Sequence, residues 1–444
     1  MLRLFVIAFT SFLLWTLVGI ATSSAGDVCA SPERATTSRA MLDIFQYHGD
    51  AIVEMGKRRG GVPLPMFDPN DFTPVTGYIR RYTRGRKDSG FMIFAADKKH
   101  ICSYLFLRGS LTPLYHRQAI TAAEIQRSNG DLRRAILCGH LGKARAPRLK
   151  RDGSIIPWFV EASDPNIKCD HDSKAVDSIE LLSKVFFPLN FRVALSFIRH
   201  LSILPIRGLS AVPVAILEPY GNGKQAVETF SINFVAFFPD IRSGPSATNK
   251  AFITPLIVGD PEATSDPEYD FESLPGALQE ALEVHKALGG RLLKQADAKV
   301  KPFIASAQNA DLIYIAAHGL SEFQNSLDNS FIAMSDGRLT ARRVQKLKLK
   351  RSPVVVLSAC QTGLGTIVEA GIIGIGRAFQ KAGASNTVMS LWSVFDEPTL
   401  YMMREFRRHL PQSHPAEALR RAMLAGKKRY NDPVNWSGFV VLGN

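Results

Sequence analysis

Two apolar runs constrain this chain more than any other feature. Residues 311–319 read D-L-I-Y-I-A-A-H-G, and residues 353–363 read P-V-V-V-L-S-A-C-Q-T-G. Unbroken apolar runs of this length, partly β-branched, suit strands buried on both faces, as in a parallel sheet with helices on either side. Each run ends in a reactive side chain, His318 in the first and Cys360 in the second. In such sheets reactive groups gather beyond the carboxyl ends of the strands. If the two strands are neighbours, a thiol emerges beside an imidazole, and the base raises the thiolate fraction. The pairing predicts a cysteine peptidase built on two adjacent strands.

The same alternation of strand and helix continues along the chain. A hairpin is expected from Phe91–Ala96 and Cys102–Arg108 around Asp97-Lys-Lys, followed by a helix over Ala122–Leu137. A helix-like stretch stands at Arg39–Lys57 and another helix at Ala175–Lys184, with short strands expected at Ile198–Ile206 and Val212–Leu217. From Phe252 the pattern sharpens. Phe252–Val258 reads as a strand, and Leu274–Leu288 as an amphipathic helix ended by Gly289-Gly290. Then come a helix at Ala298–Ser306, strands at Leu312–Ala317 and Val354–Ser358, and a helix at Glu369–Ala382. A strand at Thr387–Leu391, helices at Pro398–Leu410 and Pro415–Lys428, and a closing strand at Gly438–Leu442 complete it. This is the pattern of a doubly wound α/β fold, a mostly parallel sheet flanked by helices. No period of 30–50 residues repeats, which excludes a helical solenoid within these residues.

The N-terminus reads as an export signal. Arg3 precedes an apolar run from Leu4 to Ile20, and Ser23 and Ala25 supply the small residues of a cleavage site after Ala25. The alternative is an uncleaved helix that anchors the protein in a membrane. Outside the cytosol, four of the five cysteines are expected to pair and one to stay free. Cys29, Cys102, Cys138 and Cys169 lie in the N-terminal half, which leaves Cys360 as the free thiol. Their three possible pairings cannot be ranked from sequence. Cys138-Gly-His140 and Cys169-Asp-His171 also form two C-x-H pairs, a rival zinc arrangement with unfamiliar spacing. No metal or other cofactor is expected.

The net charge of +14 calls for an anionic environment such as an envelope surface or acidic substrate segments. The basic clusters are scattered, at Lys57–Arg59, Arg80–Lys87, Lys143–Arg151 and Arg342–Arg351, without aromatic interleaving. They read as solvated surface, and no nucleic-acid partner is expected.

An ordered set of motifs resembles one family. It comprises L-P-G-A-L-Q-E-A at 274–281, A-A-H-G-L at 316–320, D-G-R-L-T-A at 336–341 and V-V-L-S-A-C-Q-T-G-L-G at 355–365. It continues with G-I-I-G-I-G-R-A-F at 371–379, S-L-W-S-V at 390–394, P-A-E-A-L-R at 415–420 and W-S-G-F-V-V-L-G at 436–443. Together these resemble the CHAT family of caspase- and separase-like cysteine peptidases, often found with tetratricopeptide repeats. The stretch I-R-H-L-S-I-L-P-I-R-G-L-S-A-V-P at 198–213 resembles the family's preceding segment. The resemblance implies a degenerate caspase-like half over 76–250 packed on a protease half over 251–444. Residues 1–25 are then the signal and 26–75 stay unassigned.

The resemblance also implies roles. His318 and Cys360 match the catalytic dyad, 42 residues apart, where caspase-type enzymes show roughly 50. The backbone N–H groups of Gly319 and Cys360 would form the oxyanion hole. Many members carry two acids after W-x-V. Here that pair is Phe395-Asp396. Asp396 would select a basic P1 side chain, and Phe395 on the same wall would select an apolar one. Gly371, Gly374 and Gly376 lack the Lys-Ser/Thr of a nucleotide loop and read as close helix–sheet packing. The expected partner is a protein or peptide substrate, with an unidentified activating partner and an association with the envelope. The competing expectations are a catalytically silent module that binds peptides in the same cleft, and a basic envelope adhesin.

Overall fold

The computed structural model describes residues 29, 77, 79, 88–108, 110, 112–141, 173–235, 251–263, 266–321, 325–359, 366–368 and 371–443. Its strands are β1 (Ser89–Ala96), β2 (Ile101–Leu107), β3 (Leu114–Gln118), β4 (His200–Leu204), β5 (Ser231–Phe234), β6 (Pro255–Gly259), β7 (Arg291–Lys294) and β8 (Leu312–Ala316). They continue with β9 (Gly319–Leu320), β10 (Phe331–Met334), β11 (Gly337–Thr340), β12 (Val354–Ser358), β13 (Thr366–Val368), β14 (Gly371–Ile373), β15 (Asn386–Ser390) and β16 (Phe439–Gly443). The longer helices are α1 (Ala122–Leu141), α2 (Ser173–Phe186), α3 (Pro275–Leu288), α4 (Val300–Ala307), α5 (Ile375–Ala382), α6 (Asp396–His409) and α7 (Pro415–Arg429).

Eleven of the described strands make one sheet in the order β3-β2-β1-β4-β5-β16-β15-β12-β8-β6-β7. The run β15-β12-β8-β6-β7 is parallel throughout. β12 and β8 are neighbours, as the sequence predicts, with Val354 opposite Leu312 and Ser358 opposite Ala316. Every residue of β6, β8, β12 and β15 is buried, because helices cover both faces of the sheet. The main apolar core of the described residues runs from Met92 on β1 to Leu442 on β16, with a smaller cluster around Tyr269 and Phe331.

The strand expected at Gly438–Leu442 is β16. It lies inside the sheet, antiparallel to β15 and parallel to β5. Strands β1–β5 therefore stand on one side of β16, and β15, β12, β8, β6 and β7 on the other. Two expectations fail locally. Val212–Leu217 is no strand but lies around short 3₁₀ turns at Arg207–Ala211 and Val214–Ile216. Pro213, between them, has no N–H to give a ladder. Residues 371–373 form β14 of a small hairpin with β13, so the helix begins at Ile375 and not at Glu369. Gly371, Gly374 and Gly376 weaken helix there, and Gly374 is extended.

Close packing positions α3 on the sheet. A Cβ at Gly259, the last residue of β6, would stand 2.4 Å from the Ala281 methyl of α3. The helix starts with Pro275 at its first turn, where the missing N–H costs nothing. It ends at Gly289, and Gly290 follows with φ +88 and would otherwise strike the Pro255 carbonyl. The arrangement sets the first turns of α3 over the carboxyl ends of β8 and β12.

In the hairpin β1–β2, Cys102 meets Cys29, with Cα atoms 5.6 Å apart and the two sulfurs in contact. The Tyr115 hydroxyl donates to the Cys29 carbonyl at 3.1 Å. Cys138 falls on α1, but its side chain and all of Cys169 lie outside the described residues, as do the signal segment and the helix expected at Arg39–Lys57. No described helix is long and apolar enough to cross a membrane.

Candidate active site

β8 and β12 end side by side, with Ser358 opposite Ala316. His318 follows β8 by two residues, and Cys360 follows β12 by two. Cys360 itself lies outside the described residues. The residues that lead to it are firmly held. The Ser390 hydroxyl of β15 donates to the Ala359 carbonyl at 2.5 Å, and the Ser358 hydroxyl donates to Glu280 of α3 at 3.1 Å.

His318 is buried, with 3% of its surface exposed. Its Nε2 lies 2.7 Å from the Glu272 carbonyl oxygen. A carbonyl only accepts, so Nε2 carries a proton and donates it. The ring stacks on Phe271, with centroids 5.0 Å apart and planes 28° from parallel. Gly319 begins β9, which pairs with β10, Gly319 lying opposite Ile332. The same strand takes the His318 carbonyl, through the Ala333 N–H at 3.0 Å.

The segment that carries Phe271 and Glu272 is tethered at both ends. Asp260, just past β6, accepts from the Leu274 N–H at 2.8 Å and the Ser273 hydroxyl at 2.7 Å. At the other end Asp266 takes both prongs of the Arg338 guanidinium, each at 2.7 Å. Arg338 in turn lies over the Phe331 ring, 4.3 Å from its centre. Burial works against the charge on Asp266, yet Arg338 and the N–H groups of Glu268 and Tyr269 hold its carboxyl below the usual range.

Beside Ala317 and Ala359 opens a cleft of about 420 Å³, its solvent-filled part included. Its other walls come from Leu274, Gly276, Ala277 and Glu280 on the α3 side and from Val394, Asp396 and Thr399 on the α6 side. Asp396, the first residue of α6, thus lines the cleft. Phe395 packs partly against the main core instead. Gly276 keeps room beside Asp396, since a Cβ there would stand 3.2 Å from the aspartate Cβ.

Sequence reasoning missed Glu280. It is 4% exposed and accepts from the Tyr314 hydroxyl at 2.6 Å as well as from Ser358. Burial pushes its carboxyl up to about 7, against the pull of both hydroxyls, and the nearby charges of Asp396 and Glu283 push the same way. Burial, and Glu280 itself, drive the Tyr314 phenol well above its ordinary value. The signal was present in the sequence, because Ala277, Glu280, Ala281 and Val284 fall on one stripe of the helix.

The large, mostly parallel sheet flanked by helices is a caspase-like fold. The profile of the CHAT domain matches residues 177–444, and the chain belongs to the CHAT-domain family. The structure is similar to the Saccharomyces cerevisiae separase in its complex with securin, at a TM-score of 0.56 and 9% identity, over 91% of this chain and 34% of that one. Among curated proteins it is similar to Tetratricopeptide repeat protein 28 of Mus musculus and of Homo sapiens. Each is 24% identical over an alignment of 296 positions that covers 54% of this chain and 12% of the relative. The chain thus matches only a small part of the length of these relatives.

Proposed function

We propose that this protein is an exported cysteine endopeptidase that cuts specific protein substrates through His318 and Cys360. The observation that carries the reading is the adjacency of β8 and β12, with His318 held at Nε2 by the Glu272 carbonyl. Cys360 Sγ attacks the peptide carbonyl, and a C–S bond forms as the C–N bond breaks. His318 passes the thiol proton to the leaving amine and then activates the water that releases the acid. The N–H groups of Gly319 and Cys360 receive the oxyanion. Asp396, lining the cleft beside Ala359, receives a basic P1 side chain. Export is supported by the apposition of Cys29 and Cys102, because disulfides persist in oxidising compartments.

A thiol-directed peptidyl electrophile is expected to label the protein at one site. Labelling should vanish in Cys360→Ala and fall by about a hundredfold or more in rate in His318→Ala, which loses the base. Absence of labelling, with peptide binding retained, would make the chain a silent peptide-binding module instead.

A further inference from the structure

The stretch between α2 and β4 turns an apolar ridge outward. Helical hydrogen bonds run through it, from the Phe191 N–H on the Pro188 carbonyl at 2.9 Å to the Ile198 N–H on the Leu195 carbonyl at 3.3 Å. One face packs inward through Phe191, Ala194, Leu195 and Ile198. Leu189, Val193 and Phe197 recur at every fourth residue on the other, 74%, 75% and 73% exposed. That spacing sets them side by side, where a solvated helix face carries charge. Among the described residues seven large apolar side chains are exposed, and three of them stand in this one row. Single exposed apolar residues are ordinary, but a contiguous row marks a contact surface.

The shape and the charge of the ridge narrow the partner. A side chain in a groove loses much of its surface to the walls, and these three keep most of theirs. A peptide finds no groove to lie in, whereas a protruding apolar row suits the acyl boundary of a bilayer. Arg192 lies within the stretch and Arg199 follows it, and neither is ion-paired. Asp88, whose carbonyl takes the Arg199 N–H at 2.7 Å, keeps its carboxylate toward His200 at 3.9 Å. With a chain charge of +14, the matching surface is an anionic one.

We propose that this ridge docks the protein on an anionic lipid bilayer, with Leu189, Val193 and Phe197 entering the acyl boundary and the flanking arginines drawn to headgroup phosphates. The proposal is independent of the peptidase reading. β4 starts at the end of the sheet where β8 and β12 finish, because β4, β5 and β16 run parallel and β16 is antiparallel to β15. The ridge, which leads directly into β4, therefore shares that end with the candidate cleft. A docked molecule would meet proteins that project from the same membrane.

The mature chain from Gly26 is mixed with vesicles of phosphatidylcholine, alone or with an equal part of phosphatidylglycerol, and the bound fraction is read after sedimentation. Anionic vesicles should bind it about tenfold or more tightly than neutral ones, and added salt should narrow the difference. Val193→Ser combined with Phe197→Ser should weaken binding to anionic vesicles about tenfold or more, with an unchanged thermal melt. Arg199→Gln should weaken it about fivefold, the worth of one basic residue at such a surface. In Phe197→Trp, lipids with brominated acyl chains should quench the added indole. Vesicle binding unchanged by the double serine variant overturns the proposal. So does an added indole that brominated chains leave unquenched, and this arm decides alone if the double variant does not melt cooperatively. A wild type that ignores vesicles but self-associates, with a double variant that stays monomeric, overturns it and assigns the ridge to a second copy of this chain.

Discussion

Glu280 makes a prediction about stability that is independent of any activity. Its folded-state carboxyl is raised to about 7 from 4.5. A raised acid contributes stability that is fully present below its unfolded value and is lost as pH climbs to its folded one. The loss should run from about pH 4.5 to 7 and amount to about 3 kcal/mol. Glu280→Gln should therefore remove that slope, so the difference in stability between variant and wild type changes across this window and is flat above it. Urea titrations at several pH values measure it, and parallel curves for the two proteins would count against the raised carboxyl. The residue was legible only in part. His318 and Cys360 stand at the ends of apolar runs, where strand logic looks for chemistry. Glu280 stands inside a helix, where a lone acid reads as surface until the phase of its apolar stripe is worked out.

At the scale of elements, the segment from Asp266 to Leu274 holds the imidazole while its own ends are fixed by Arg338 and Asp260. Arg338→Met should leave Asp266 buried with only backbone partners and cost about 1–3 kcal/mol. Because the Asp266 carboxyl is depressed, the stability it contributes is present above its unfolded value and lost as pH falls through the folded one. The variant should lose that acid limb. It should also label at Cys360 more slowly while binding peptide with unchanged affinity, since the damage falls on the orientation of His318. Arg338→Lys should restore only part, because an ammonium cannot make both prongs. Equal loss of peptide affinity and labelling rate would mean general loosening. The sequence displayed the segment D-G-R-L-T-A without disclosing what Arg338 grips, since its partner Asp266 lies 72 residues away. Element positions, by contrast, were legible wherever an apolar period continued without glycine or proline, as in β8 and β12. They were lost at Pro213 and Gly374.

Over the whole molecule, β16 is the strand that both sides of the sheet share. Asn233 of β5 reinforces the seam, donating to the Gly443 carbonyl at 2.6 Å and accepting from the Ser202 hydroxyl at 2.6 Å. Arg133 of α1 reaches across as well, donating to the Leu391 carbonyl at 2.9 Å. Asn233→Leu should cost about 1–3 kcal/mol through the unsatisfied carbonyl. Denaturation should remain one transition, seen together by tryptophan fluorescence and far-ultraviolet circular dichroism, because the main core is continuous. Two separated transitions would show that the seam is weaker than its packing. Strand order was not legible, since periodicity says that 439–443 is a buried strand but not which neighbours receive it. The placement has a consequence for biosynthesis. A ribosome that has translated as far as residue 430 has already released β5 and β15, each with one bare edge and no strand to cover it. Bare edges recruit strands from other chains. The nascent protein is thus most exposed to misassembly before β16 emerges, and only then do the two sides become one sheet.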